Sequence, residues 1–208
     1  MKTMFVARLL AAAAGLAAVL TAQPSRLALL VGVGDYRGSP ALRTLRGPLH
    51  DVQLVREILR RRFGFADDDI RTLVDGEATV EAVLRACDTH LLQRTGKGTE
   101  VVLYFAGHGS LIPDRSGLEQ DVAGCPRDSS LILFDSRIAA HDGSRDLSDD
   151  ALAALVDAIA ARGARVTLLT DACHSGGLLR GGRTGEARFA GLGSEAMADP
   201  TGWPGWPE

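Results

Sequence analysis

Two residues whose types could do covalent chemistry end apolar runs in this sequence: His108 in VVLYFAGHGS (101–110) and Cys173 in LLTDACHSGG (168–177). A thiol is a nucleophile only as its thiolate, so it needs a base or a cation close by. His174, the next residue along, is a poor candidate. Consecutive side chains on an extended segment point to opposite faces, so His174 looks away from the neighbouring sulfur and reads as a packed or hydrogen-bonded histidine. His108 is the better base. Gly107 and Gly109 clear space around its ring, and the Gly109 N–H can donate towards a developing oxyanion. His50, His90 and His141 stand in helical or loop contexts with no evident partner.

The elements that must position this pair alternate regularly. RLALLVGVG (26–34), TEVVLYFAG (99–107) and RVTLLTDAC (165–173) are continuous apolar runs, as expected of strands buried on both faces of a parallel sheet. Between them lie three helical patterns with apolar residues three and four apart: Leu49, Val52, Val55, Ile58 and Leu59; Val80, Val83, Leu84, Leu91 and Leu92; Leu152, Leu155, Val156 and Ile159. Ser148 is the expected N-cap of the third, followed by Asp149 and Asp150 at the positive end of the helix dipole. Ile70 to Val74 and Leu131 to Phe134 are expected as further strands. The fold class is therefore an α/β sandwich with a mainly parallel sheet. In such sheets chemistry gathers at the carboxyl ends of the strands, and adjacent strands ending in His108 and Cys173 bring imidazole and thiol within about 4 to 7 Å of one another.

Composition narrows the functions. The 208 residues carry 23 Lys and Arg against 26 Asp and Glu, a net charge of −3 with arginines scattered among acids, which argues against a nucleic-acid partner. Three cysteines leave at least one unpaired, and no spacing suggests a zinc site. Cys87, inside VEAVLRACDTHLL, reads as a buried helix residue, and Cys125, between Gly124 and Pro126, carries no reading. A dinucleotide fingerprint in VGVGDYRG fails on spacing, since Gly38 comes one residue late and Asp75 is too far on. Asp171 lies two residues before Cys173, on the same face of an extended segment. A carboxylate there raises a thiol's pKa, so its sensible use is to bind a substrate cation, the alternative being a loop hydrogen-bond acceptor.

The motifs YFAGHGS and DACHSGG, preceded by ALLVGVGDY and LRGPLHDVQLV, resemble the caspase-like cysteine peptidases in their metacaspase and bacterial caspase-like branch, over about Arg26 to Gly177. The resemblance implies a caspase-like three-layer α/β sandwich and a cysteine endopeptidase with a His108/Cys173 dyad and no third carboxylate. It implies an oxyanion hole made by the backbone N–H groups of Gly109 and Cys173. It also matches Asp171 and Asp51 to two acids of a specificity pocket, which would select Arg or Lys before the cleaved bond; for Asp51 the alternative is a helix-start charge. A catalytically weak or inactive scaffold on the same fold is the rival reading, and the substrate in the first case is a peptide or protein. The family also raises calcium. The sequence argues against it and for no cofactor: Asp114, Glu119, Asp121, Asp128, Asp149 and Asp150 make a thin ligand set, and Arg180 stands where calcium-dependent relatives carry an acid.

The ends read differently. Lys2 and Arg8 followed by the uncharged run Leu9 to Ala22 fit a signal peptide over 1–22, although Leu20 suits the cleavage rule loosely and an uncleaved anchor is the alternative. The expected organisation is thus an exported chain, periplasmic or secreted, with a peptidase domain over 23–182 and an irregular Gly/Pro-rich tail over 183–208. By resemblance the fold should continue well past the cysteine strand, yet only 35 residues follow Cys173. Either the sequence is a fragment lacking the C-terminal part of the fold, or a partner chain completes the sheet, whose last edge would otherwise be open to pairing. Gly181, Gly182 and Gly185 with Arg180, Arg183 and Arg188 read as a self-cleavage loop by resemblance, or as an ordinary exposed loop.

Overall fold

The structure is a computed structural model that describes residues 25–39, 41–113, 127–138 and 145–172. The signal segment, Cys125, His141, Cys173, His174, the glycine–arginine segment and the tail lie outside the described residues.

Four parallel strands form the central sheet in the order β2-β1-β3-β7. They are β1 (Arg26–Gly32), β2 (Ile70–Val74), β3 (Glu100–Gly107) and β7 (Arg165–Ala172). The expected strand over 70–74 is found at those residues. β1 and β3 show no apolar–polar alternation because both their faces are covered. Leu27, Leu29 and Val31 of β1 join Val101, Leu103 and Phe105 of β3 in one core, while Ala28 and Leu30 join Tyr104 and Ala106 in the other.

Helix α1 (Pro48–Phe63) lies over the second core, and α2 (Val80–Ala86) and α3 (Asp149–Ala160) pack on the first. α1 begins with proline in its first turn, where the missing N–H costs nothing, carries Arg60, Arg61 and Arg62 in its last turn, and stops at Gly64 with φ 69°. Its apolar face is narrower than the spacing predicts: Val52 and Leu59 are buried, but Ile58 is 41% exposed. The Ser148 cap of α3 is as expected, its side chain accepting from the Ala151 N–H at 2.7 Å. Asp149 does more than face the dipole, since its buried carboxylate also accepts from the Ser129 N–H at 3.1 Å.

Two expectations need correction. The second helical pattern is not one helix: α2 ends at Ala86, and a π turn (Cys87–Leu91) and a 3-10 turn (Leu92–Arg94) follow. The wider turn carries His90 over to the strands, where its Nε2 lies 3.1 Å from the Ala28 carbonyl and 3.2 Å from that of Asp69. The strand expected over 131–134 is instead β5 (Arg127–Leu131), in a small antiparallel sheet β4-β5-β6 with β4 (Gly109–Pro113) and β6 (Leu147–Ser148). Phe134 has left the strand and turns back to Ala78, its N–H donating to that carbonyl at 3.0 Å. Hydropathy hides this sheet because β5 buries the polar residues Asp128, Ser129 and Ser130, the Ser129 N–H donating to Asp149 and the Ser130 hydroxyl to Asp146.

Candidate active site

The carboxyl ends of β1, β3 and β7 meet in one place. β3 and β7 run in register from Glu100↔Arg165 to Gly107↔Ala172. The next residues of the two strands are His108 and Cys173. His108 is the single residue between β3 of the parallel sheet and β4 of the antiparallel one. Its Nε2 lies 2.7 Å from the Arg43 carbonyl oxygen. A carbonyl can only accept, so Nε2 carries the proton, and in neutral imidazole Nδ1 is left as the basic nitrogen.

The His108 backbone is held as firmly as its ring. Its N–H donates to the Tyr36 hydroxyl at 2.8 Å, and the Tyr36 ring leans on the imidazole with centroids 4.7 Å apart. The expected role of Gly107 shifts accordingly. A Cβ there would sit 2.6 Å from the Tyr36 hydroxyl, so the glycine makes room for that phenol and not for the imidazole. Gly109 is paired with Leu131. The neighbouring rung is hydrogen-bonded, Ile132 N–H to His108 carbonyl at 2.9 Å, and antiparallel rungs alternate, so the Gly109 N–H is directed away from β5. Behind β4, Arg137 donates to the Ser110 hydroxyl at 2.7 Å and forks onto Asp146, whose side chain is 0% exposed. Burial pushes the Asp146 carboxyl up, and the Arg137 guanidinium opposes that.

The two acids proposed from the sequence lie on the α1 side of the sheet. Asp171 is exposed on β7, opposite Ala106. Asp51 is in the first turn of α1, folded back over Gly47, where a Cβ would meet its Oδ2 at 2.9 Å, and its Oδ1 is 3.6 Å from His50. Between them stands Tyr104 of β3. Its phenol is pushed up to about 12, first by burial and then by the negative charges of Asp171 and Asp51. Both carboxylates therefore act on one ring, on the same face of β3 as Ala106.

Sequence reasoning missed Tyr36, Tyr104 and the Arg43 carbonyl. Tyr104 could have been found from its place opposite Leu169, two residues before Asp171 and on the same face. Tyr36 and Arg43 act across separations of 72 and 65 residues, for which the sequence holds no local signal. Among the described residues no group of three or more His, Cys, Asp or Glu could hold a metal ion. Asp149, one of the calcium candidates, accepts from the Ser129 and Asp150 N–H groups, one on each oxygen. Asp114, Glu119 and Asp121 lie outside the described residues. No described helix is long and apolar enough to cross a membrane.

Comparison with known proteins bears on this arrangement. The family model described as metacaspase, peptidase C14 domain matches residues 26–180. Metacaspase-4 of Arabidopsis thaliana is 29% identical over 159 residues, which cover 74% of this chain and 34% of that protein. Metacaspase-1 of Eremothecium gossypii is 32% identical over 161 residues, covering 74% of this chain and 33% of that protein. The crystal structure of protein GSU0716 from Geobacter sulfurreducens superimposes with a TM-score of 0.56 at 32% identity, over 74% of this chain and 52% of that one. The chain spans about a third of the length of the curated relatives it matches. On the matched span, which includes both β3 with His108 and β7, the chain belongs to the metacaspase family of peptidase C14 domains.

Proposed function

We propose that this chain is a cysteine-type endopeptidase that cleaves peptide bonds after Arg or Lys, with Cys173 as nucleophile and His108 as base. One observation supports it above the others: β3 and β7 stay in register to Gly107↔Ala172, the residues that immediately precede His108 and Cys173 in the sequence, with adjacent strands about 4.8 Å apart. Because Nε2–H is committed to the Arg43 carbonyl, Nδ1 takes the Cys173 proton. The thiolate attacks the scissile carbonyl carbon, forming the C–S bond as the carbonyl electrons move to oxygen. The N–H groups of Gly109 and Cys173 hold that oxyanion. Its collapse expels the amine, which takes the proton from Nδ1. Water, deprotonated by Nδ1, then attacks the thioester, and the thiol leaves with its proton restored.

Asp171 and Asp51 supply the preference for a cation. The shared influence of both on Tyr104 supports a single acidic pocket beside the scissile bond. Arg suits it at least as well as Lys, because its planar fork meets carboxylates bidentately. We also propose export, on the Lys2/Arg8 and Leu9 to Ala22 pattern.

A panel of fluorogenic peptides differing at the residue before the cleaved bond tests the reading. Arg and Lys peptides should be hydrolysed, and Cys173→Ala and His108→Ala should abolish the activity while leaving the far-ultraviolet circular dichroism unchanged. A retained rate in purified Cys173→Ala overturns the assignment, and a preference for Asp overturns the pocket. A folded protein that cleaves none of the panel and whose Cys173 resists thiol-directed probes is the scaffold instead.

A further inference from the structure

His108 and Ile132 face one another one step beyond Gly109↔Leu131, the pair at which the β4–β5 ladder begins. A hydrogen-bonded antiparallel rung exchanges two N–H to carbonyl bonds. Only one is direct here, from the Ile132 N–H to the His108 carbonyl at 2.9 Å. In the place of the other, the His108 N–H donates to the Tyr36 hydroxyl at 2.8 Å, and that hydroxyl donates to the Ile132 carbonyl at 3.0 Å. The phenol is 2% exposed, and burial pushes its pKa far above the ordinary tyrosine value, so the hydroxyl keeps the one proton this relay needs.

The surroundings agree with a hydroxyl built into the ladder. Tyr36 lies in the loop after β1, and that loop is pinned by Asp75, whose Oδ1 accepts from the Gly34 N–H at 2.7 Å and the Asp35 N–H at 2.8 Å. Asp75 holds a left-handed backbone, φ 44°, unusual for a residue with a side chain. Gly107, one residue before the rung, has no Cβ to collide with the hydroxyl.

We infer that Tyr36 is a positioning residue for His108: its hydroxyl, interposed between His108 and Ile132, turns the chain out of the parallel sheet at that residue and fixes the direction of the imidazole. The inference rests on the reading of His108 as the base. Without the hydroxyl, the rung either closes directly, drawing His108 towards β5, or leaves a buried N–H and carbonyl unpaired. Either outcome moves the ring.

The test is Tyr36→Phe, which keeps the ring and deletes only the hydroxyl. On an Arg peptide kcat should fall about 100-fold, as for an ångström-scale misplacement of a catalytic group, with KM within about two-fold of the parent. The ring ¹⁵N signals of His108, assigned by their loss in His108→Ala, should change in chemical shift. Wild-type kcat overturns the inference, and so does a fallen kcat with unmoved His108 signals, since Tyr36 then acts elsewhere. If the parent protein hydrolyses no peptide, the proposed function fails, and the ring signals alone still decide the positioning role. If Tyr36→Phe does not fold, 3-fluorotyrosine in place of both tyrosines keeps ring and hydroxyl but weakens the oxygen as an acceptor. The His108 amide and ring signals should then shift, and unmoved signals overturn the inference.

Discussion

The two ends of the parallel sheet treat charge in opposite ways. At the amino end Arg26, Glu100 and Arg165 share one row across β1, β3 and β7, and the central carboxylate takes both guanidinium groups, Arg26 Nε at 2.8 Å and Arg165 on its other oxygen. One step earlier, Ser25 and Thr99 join through their hydroxyls at 2.8 Å. At the carboxyl end the corresponding row is Gly32, Ala106 and Asp171. Small neighbours give Asp171 nothing to pair with, and no cation among the described residues forms an ion pair with it. Charges at one end are spent on the fold. At the other end Asp171 has no ion-pair partner among the described residues, which leaves its charge available to the proposed cation-selecting pocket.

Thiol reactivity gives the comparison its largest expected effect. Cys87 is buried in the core under β1, and burial, followed by the charge of Asp88, pushes its thiol up to about 12. Its alkylation by iodoacetamide near neutral pH should be on the order of 10³-fold slower in the native protein than in urea. Cys173, at the carboxyl end, should be modified in the native state. Peptide mapping after a short exposure checks both, and preferential native labelling of Cys87 would break the contrast between a core thiol and an edge thiol.

The carboxyl-end acids come next. Asp171→Asn and Asp51→Asn each remove a charge that, among the described residues, makes no ion pair beyond the 3.6 Å approach of His50 to Asp51. Each should lower kcat/KM for an Arg peptide by about 10- to 100-fold, the worth of a hydrogen bond to a charged group, with stability unchanged in Asp171→Asn and lowered by at most about 1 kcal/mol in Asp51→Asn, whose charge faces the α1 dipole. An unchanged Arg preference in Asp171→Asn would show that the carboxylate is idle.

Much of this arrangement was legible in the sequence because it depends on local pattern. Continuous apolar runs mark β1, β3 and β7, and the position of His108 at the end of β3 follows from those runs. The features that escaped depend on distance or on polar burial. Tyr36 reaches His108 across 72 residues and Ile132 across 96. β5 hides its strand character behind buried serines and an aspartate, and the π turn at Cys87–Leu91 keeps a helical hydrophobic pattern while changing the hydrogen-bond ladder beneath it. Periodicity reports which face is apolar; it does not report which backbone groups a side chain intercepts.

At the amino end the effects should be smaller and confined to stability. Glu100→Gln leaves Arg26 and Arg165 with a neutral neighbour at a half-exposed site, which should cost within about 1 kcal/mol in urea unfolding and leave kcat/KM unchanged. A loss of activity in this variant would erase the division between the two ends.

The smallest expected effect, a change in pH dependence, belongs to His90, which ties the π turn to the first rungs of β1 and β2. Its Nε2–H faces the Ala28 and Asp69 carbonyls, and its Nδ1 accepts from Arg94 at 3.0 Å. A ring that accepts from a guanidinium must be neutral at that nitrogen. Burial, and then the Arg94 charge, hold its pKa below the ordinary 6.5, while the two carbonyls and the Asp69 charge oppose the shift. As pH falls through 6.5 the unfolded chain takes up a proton that the folded chain still refuses. Stability from this group is therefore complete above that pH and declines below it, until the folded-state pKa is reached. Urea midpoints at about pH 7 and about pH 5.5 should show the parent losing more stability on acidification than His90→Gln, whose amide does not titrate in that window. Equal losses in the two proteins would mean that the amino end carries no titrating group of consequence at His90.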